Sequence, residues 1–313
     1  MELCLMIEGQ EGVSWDQWTA LAAACEEHGL AGLFRSDHYL SFDDEGRAGS
    51  SDAWATLAAL AARTERIRLG TLVSPATFRP PGVLAMNAIT VDHVSGGRVD
   101  VGMGAGWFER EHVAFGFPFP DRSTRMAMLA EQLEIVHRAF SEERFSFEGR
   151  HYRVDDLAAL PKPVQLPHPP IVMGGSAGPV SARLSARWAD EYNVHSIGPD
   201  ECRRARERVA RAWEAEGRGP STLRFSLMTR CLVGADRLDL ERRARAQMDG
   251  GDDVDAFLAG GGDAWVAGTV EEAVGRLHAF QDAGVERVML QHLDPADLDT
   301  VALIGAELIP AVA

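Results

Sequence analysis

What this chain lacks narrows it first. Its 313 residues include only four cysteines, Cys4, Cys25, Cys202 and Cys231, and none of them forms a Cys-x-x-Cys pair. That spacing argues against a zinc knuckle and a thioredoxin-type centre, and it points to reduced thiols in a cytoplasmic protein. No uninterrupted apolar stretch reaches the ~20 residues of a membrane span. Residues 1–9 carry no basic n-region and too short an apolar run for a signal peptide. Positive charge is scarce as well: 31 lysines and arginines stand against 47 aspartates and glutamates, a formal charge of −16. So acidic a surface argues against nucleic acid and against an anionic membrane as partners. There is no His-Glu-x-x-His and no His-x-His after the first strand, so no catalytic metal is expected. Nor does Gly-x-Gly-x-x-Gly follow the first strand, which weighs against an open, doubly wound sheet.

What is present is a regular alternation. Short apolar runs at 3–7, 32–35, 68–73, 98–103, 171–174, 191–194, 223–233 and 287–291 read as strands. Helical stretches lie between most of them: 15–28 after Ser14, 53–63 after Asp52, 81–94, 122–140, a helix ending at Trp188, 201–216, 240–248 and 270–283 after Thr269. A last helix covers roughly 297–309. Residues 109–122 read as a long loop, 145–154 as a β-hairpin and 161–170 as an extended proline-rich connector. Gly250-Gly251 and Gly260-Gly261-Gly262 punctuate an irregular stretch after strand seven. Eight strands separated by helices predict parallel pairing and closure into a (β/α)8 barrel. Insertions fall after strand four and strand seven. No linker divides the chain, so 1–313 is expected to be one domain.

In such a barrel the functional residues sit at the C-terminal ends of the strands. Strand one ends at Glu8 and strand two at Ser36-Asp37-His38. Strand three leads to Val73, Ser74 and Thr77, and strand four to Gly104-Ala105-Gly106-Trp107. Strand five runs into Gly174-Gly175-Ser176-Ala177-Gly178, strand six supplies Asn193 and His195, and strand eight ends at Gln291-His292. Histidine titrates near neutrality, so Asp37-His38 is the acid/base candidate. A strand emptying into Gly104-Ala105-Gly106 with Trp107 on its rim makes one wall of a ligand site. Residues 174–178 can turn successive backbone N–H groups and a helix N-terminus towards a phosphate. Arg79, Arg110 and Arg183 are available to a basic groove.

The runs 69–74, 77–79, 91–98 and 101–107 resemble the luciferase-like monooxygenase superfamily, and the resemblance spans most of the chain. Residues 36–39 and 288–292 resemble its branch that uses the deazaflavin coenzyme F420. The resemblance implies a barrel, a cofactor laid across the strand ends, usually a homodimer, and often a non-prolyl cis peptide near Leu72-Val73-Ser74. It also implies an F420-dependent oxidoreductase in which His38 is the acid/base and Asp37 holds the ring edge. The cofactor wall would comprise Asp37, Val73, Ser74, Gly104, Ala105, Gly106, Trp107, Gly174, Gly175, Ser176, Asn193 and His195. Relatives that oxidise a sugar phosphate have an acidic residue where this chain has Trp107, which points to a bulkier or more apolar small-molecule substrate. An FMN-dependent monooxygenase and a cofactor-binding protein without turnover are the alternatives.

Overall fold

The computed structural model describes residues 1–42, 49–248, 250 and 253–313. Along the chain lie β1 (Glu2–Ile7), α1 (Trp15–Glu27), β2 (Gly32–Arg35), α2 (Ala53–Ala61), β3 (Arg68–Thr71), β4 (Ser74–Pro75), α3 (Pro81–Ser95) and β5 (Val99–Gly104). Then come α4 (Glu109–Phe115), α5 (Arg122–Ser141), β6 (Phe145–Glu148), β7 (Arg153–Leu157), β8 (Ile171–Gly174), α6 (Pro179–Trp188), β9 (Glu191–His195) and α7 (Pro199–Ala215). The last third holds β10 (Arg224–Gly234), α8 (Arg237–Ala246), α9 (Val254–Ala259), β11 (Val266–Thr269), α10 (Val270–Asp282) and β12 (Arg287–Gln291). It ends with α11 (Leu298–Leu303), a π-helical turn and α12 (Ile309–Val312). Ser14, Asp52 and Thr269 cap their helices as expected; Ser14 and Thr269 each form a capping box with the residue three positions on.

β1, β2, β3, β5, β8, β9, β10 and β12 each pair in parallel with the next, and β12 pairs back onto β1. The sheet is therefore a closed eight-stranded barrel with its helices outside, a (β/α)8 fold. Both faces of such strands are covered, which is why β1 reads as a nearly unbroken apolar run. The lumen is filled by Cys4, Met6, Phe34 and Met289. Gly70 makes room for Phe34, because a Cβ there would lie 2.6 Å from the Phe34 ring. At the N-terminal end of the barrel, buried Arg287 donates to Asp100 at 2.7 Å and to Glu191, and Arg68 also binds Asp100. Burial works against the Asp100 charge, but Arg287 and Arg68 outweigh it and hold the carboxyl below the usual range. Among the described residues, no helix is long and apolar enough to cross a membrane.

Several boundaries differ from the sequence expectation. Residues 109–115 form α4 rather than loop, and Gly116 at φ 73° ends that helix. Strand three stops at Thr71; the peptide Leu72-Val73 is cis, and the chain rejoins β5 as β4. α7 begins at Pro199, and α8 begins at Arg237, where Asp236 accepts from the Asp239 N–H. β11 was not anticipated. β10 overshoots the barrel, and Cys231–Gly234 pair with Val266–Thr269 outside the closed ring; four residues with two small ones carry too little periodicity to be read as a strand. The hairpin expected at 145–154 is β6–β7, extended to Leu157. Of the glycines marking the stretch after strand seven, Gly251 lies outside the described residues.

Candidate active site

Three loops at the C-terminal ends of β2, β3 and β5 build one wall. Asp37, 1% exposed, directly follows Ser36 at the end of β2. Its Oδ2 accepts from Ser74 Oγ and from Arg79 Nη1, both at 2.6 Å. Among the described residues its Oδ1 is buried without a partner. Ser74 Oγ in turn accepts from Trp54 Nε1 at 3.0 Å. Arg79 also donates to Asp52 at 2.7 Å and to the Tyr39 hydroxyl at 2.9 Å, and that hydroxyl donates to Asp52 at 2.5 Å. Burial opposes the Arg79 charge, but the facing Asp37 and Asp52 carboxylates keep it firmly protonated. The loop bearing Arg79 is tied down from behind, where Gln132 of α5 donates to the Ala76 and Arg79 carbonyls at 2.9 and 2.8 Å.

His38 is half-buried, and its Nδ1 lies 2.9 Å from Oε2 of Glu111, which is fully buried on α4. A carboxylate only accepts, so the proton between them sits on Nδ1, and Nε2 is left as the atom able to give or take a proton. Four rings meet here. Phe42, Trp107 and Phe108 stand 5.1, 5.7 and 6.1 Å from the His38 ring, all edge to face. Behind them, His112 Nδ1 is 2.7 Å from the Phe108 carbonyl and its Nε2 is 2.6 Å from Thr77 Oγ1. Burial lowers the His112 pKa, so the ring is neutral: Nδ1–H donates to the carbonyl and Nε2 accepts from Thr77.

The floor is set by Val73. A Cβ on Gly104 would lie 2.5 Å from Val73 Cγ2, and one on Gly174 would lie 3.1 Å from Cγ1. Two strand ends therefore carry glycine because the Val73 side chain stands between them. Gly106, at φ 78°, needs glycine for its backbone, and its carbonyl accepts from Arg125 Nε at 3.2 Å. Trp107 follows at 62% exposure, on the rim.

Across the barrel the geometry of the glycine stretch departs from the sequence reading. Gly175 N–H donates to the Asn193 carbonyl at 3.0 Å, and Ala177 N–H donates to the Tyr192 hydroxyl at 2.8 Å. Those two donors are spent inside the protein. A Cβ on Gly175 would meet that same hydroxyl at 2.8 Å, so the residue is glycine for Tyr192. Ser176 is exposed, and Gly178 opens α6 with no side-chain cap and nothing within 4 Å of its Cβ position. Asn193 is buried, donating to Ser226 Oγ at 2.9 Å, whereas His195 is exposed. Glu8 and Gln291 pair at 2.6 Å. His292 turns away from the strand ends and into the protein, its Nε2 3.1 Å from the Asp297 carbonyl. Of the arginines considered for a basic groove, Arg79 is consumed by Asp37 and Asp52, Arg110 binds the Ser41 carbonyl, and Arg183 is exposed on α6.

Glu111 is the residue the sequence reading missed. Its only signal was helical spacing, with Phe108, Glu111, His112 and Phe115 at i, i+3, i+4 and i+7.

The profile of the luciferase-like monooxygenase family matches residues 4–307. An F420-dependent glucose-6-phosphate dehydrogenase of Nakamurella multipartita is 37% identical over 174 residues, 55% of this chain and 50% of that protein. The chain spans about half the length of the curated relatives it matches. Among solved structures, an F420-dependent secondary alcohol dehydrogenase in complex with an F420-acetone adduct superposes with a TM-score of 0.83 at 19% identity, over 100% of this chain and 99% of that one. The monooxygenase RslO1 of Streptomyces bottropensis does so at 0.82 and 24% identity, over all of both chains. The chain belongs to the luciferase-like monooxygenase family.

Proposed function

We propose that this protein is an F420-dependent oxidoreductase that moves a hydride between the deazaflavin and a small organic substrate. The observation that carries the proposal is a buried carboxylate oxygen on Asp37 that has no partner among the described residues, followed at the next position by a carboxylate-oriented histidine. The F420-dependent dehydrogenases among the curated relatives support the choice of cofactor.

The residues fit such a group. Asp37 Oδ1, buried and without a partner among the described residues, suits a ring N–H donor. Val73 with Ser74, and Gly104, Ala105 and Gly106 beside it, would back the ring, with Trp107 at its edge. Asn193 and His195 border it on the far side. Gly174, Gly175 and Ser176 lead to Gly178 and the uncapped N-terminus of α6, which would take the phosphate. When bound, the deazaflavin supplies two electrons as hydride. The chain does the rest: Glu111 fixes the His38 tautomer, His38 Nε2 gives or takes the accompanying proton, and Asp37 keeps the ring edge in register through Arg79 and Ser74. The assembly we propose is a homodimer; Val94 of α3 and Val164 of the 161–170 connector are exposed apolar residues that such an assembly could cover.

Titration with F420 and with FMN, followed by fluorescence, tests the cofactor. F420 should bind more tightly; equal or reversed affinity would favour the competing FMN monooxygenase. With a working substrate, His38→Ala should lower turnover at least ~100-fold. Unchanged turnover would make His38 structural, and no turnover with any acceptor would leave a cofactor-binding protein.

A further inference from the structure

The aromatic rim defines the kind of substrate, and this inference rests on the hydride-transfer reading above. Trp107 is 62% exposed and Phe42 42% exposed, yet both belong to one packed set with Phe108 and His38. Trp107 stands 5.3 Å from Phe42 and 5.3 Å from Phe108. The tilted and edge-on packing of these rings leaves the Trp107 indole as an exposed apolar ring beside the acid/base, and such a ring favours offset or edge-on stacking with another ring.

Charge points the same way. Beside His38, an uncommitted cation would favour a phosphorylated substrate through charge-assisted hydrogen bonds. Among the described residues, the arginines of this wall are engaged. Arg79 is ion-paired with Asp37 and Asp52. Arg110 donates to the Ser41 carbonyl and lies over the Phe108 ring. Arg125 donates to the Gly106 and Pro120 carbonyls and lies over the Phe119 ring. The carboxylate that faces His38 is the buried Glu111, at 2.9 Å from Nδ1, which disfavours an anion at that position.

We infer that the substrate is an uncharged aryl compound whose ring stacks on Trp107 and whose oxidisable or reducible carbon–oxygen bond lies beside His38. In the reductive direction His38 would give its proton to the carbonyl oxygen, and the reduced deazaflavin, when bound, would supply the hydride to the carbon, leaving the alcohol and the oxidised cofactor. Oxidation of the aryl alcohol reverses both transfers.

Calorimetric titration of the F420-loaded protein with 2-acetylnaphthalene, and separately with glucose 6-phosphate, tests this. The aryl ketone should bind at least ~10-fold more tightly than the sugar phosphate. Trp107→Ala should weaken the ketone about 10-fold or more, while Trp107→Phe retains most of the affinity. Equal or tighter binding of the sugar phosphate, or an aryl affinity that Trp107→Ala does not change, would overturn the inference. The same titration without cofactor separates the two readings. Trp107-dependent ketone binding in a protein that refuses F420 would sink the cofactor assignment and keep the aryl site; tight F420 binding with no ketone binding would do the reverse.

Discussion

Glu111 accepts from His38 Nδ1 at 2.9 Å through Oε2 and, through Oε1, from the backbone N–H groups of Tyr39 and Leu40. One carboxylate thus orients the imidazole and pins the turn that carries it. Glu111→Gln can present an amide N–H to Nδ1 and so favour the other tautomer. We expect kcat to fall by about 10- to 100-fold with KM little changed, within the range of general acid–base effects. The ¹⁵N shifts of His38 should move from the Nδ1–H to the Nε2–H pattern; unchanged shifts with unchanged kcat would assign Glu111 to the turn alone.

The contact between Val73 and Gly104 predicts a compensating pair. Gly104→Ala puts a methyl 2.5 Å from Val73 Cγ2 and should cost about 1–3 kcal/mol, the usual penalty of overpacking. Val73→Ala in the same chain removes the clash, so urea unfolding of the double variant should recover at least half of that loss. Simple additivity of the two single effects would show that the site relaxes elsewhere.

Gly178→Asp should move two measurements in opposite directions. The position caps α6, its φ of −71° suits any residue, and nothing crowds its Cβ. Aspartate is a better N-cap than glycine, so thermal stability should hold or rise slightly. A carboxylate there would repel a cofactor phosphate, and F420 affinity should drop about 10-fold or more, as expected for loss of charge-assisted hydrogen bonds. Undiminished affinity would move the phosphate elsewhere on the rim.

His292 sets an acid limb on stability. It is 2% exposed, its Nε2–H faces the Asp297 carbonyl, and among the described residues its Nδ1 has no partner. Burial lowers its pKa. The unfolded chain, with a histidine pKa of about 6.5, then binds a proton before the folded chain does. Stability should therefore be full above that value and fall as pH drops through it towards the depressed folded pKa. His292→Gln should flatten the difference between denaturation midpoints at pH 7.5 and pH 5.5; an unchanged slope would assign the limb to other groups.

Much of the architecture follows from the sequence because its causes are local. The strand runs are apolar since the barrel buries both of their faces, and Ser14, Asp52 and Thr269 cap helices from one to three residues away. The Asp37-His38 step and the Gly104-Ala105-Gly106 turn were visible for the same reason. Tertiary structure alone decided the partners. Glu111 reaches His38 across 73 residues of chain, and Arg79 reaches Asp37 across 42. Gly174 is glycine on account of Val73, and Gly175 on account of Tyr192, neither of which is a neighbour in sequence. Propensity and capping act over one helical turn, whereas barrel closure sets which strand ends meet. An arginine read as a groove cation is a half-buried clamp, and an apparent loop glutamate is the support of the histidine, because closure placed a carboxylate or an imidazole opposite each of them.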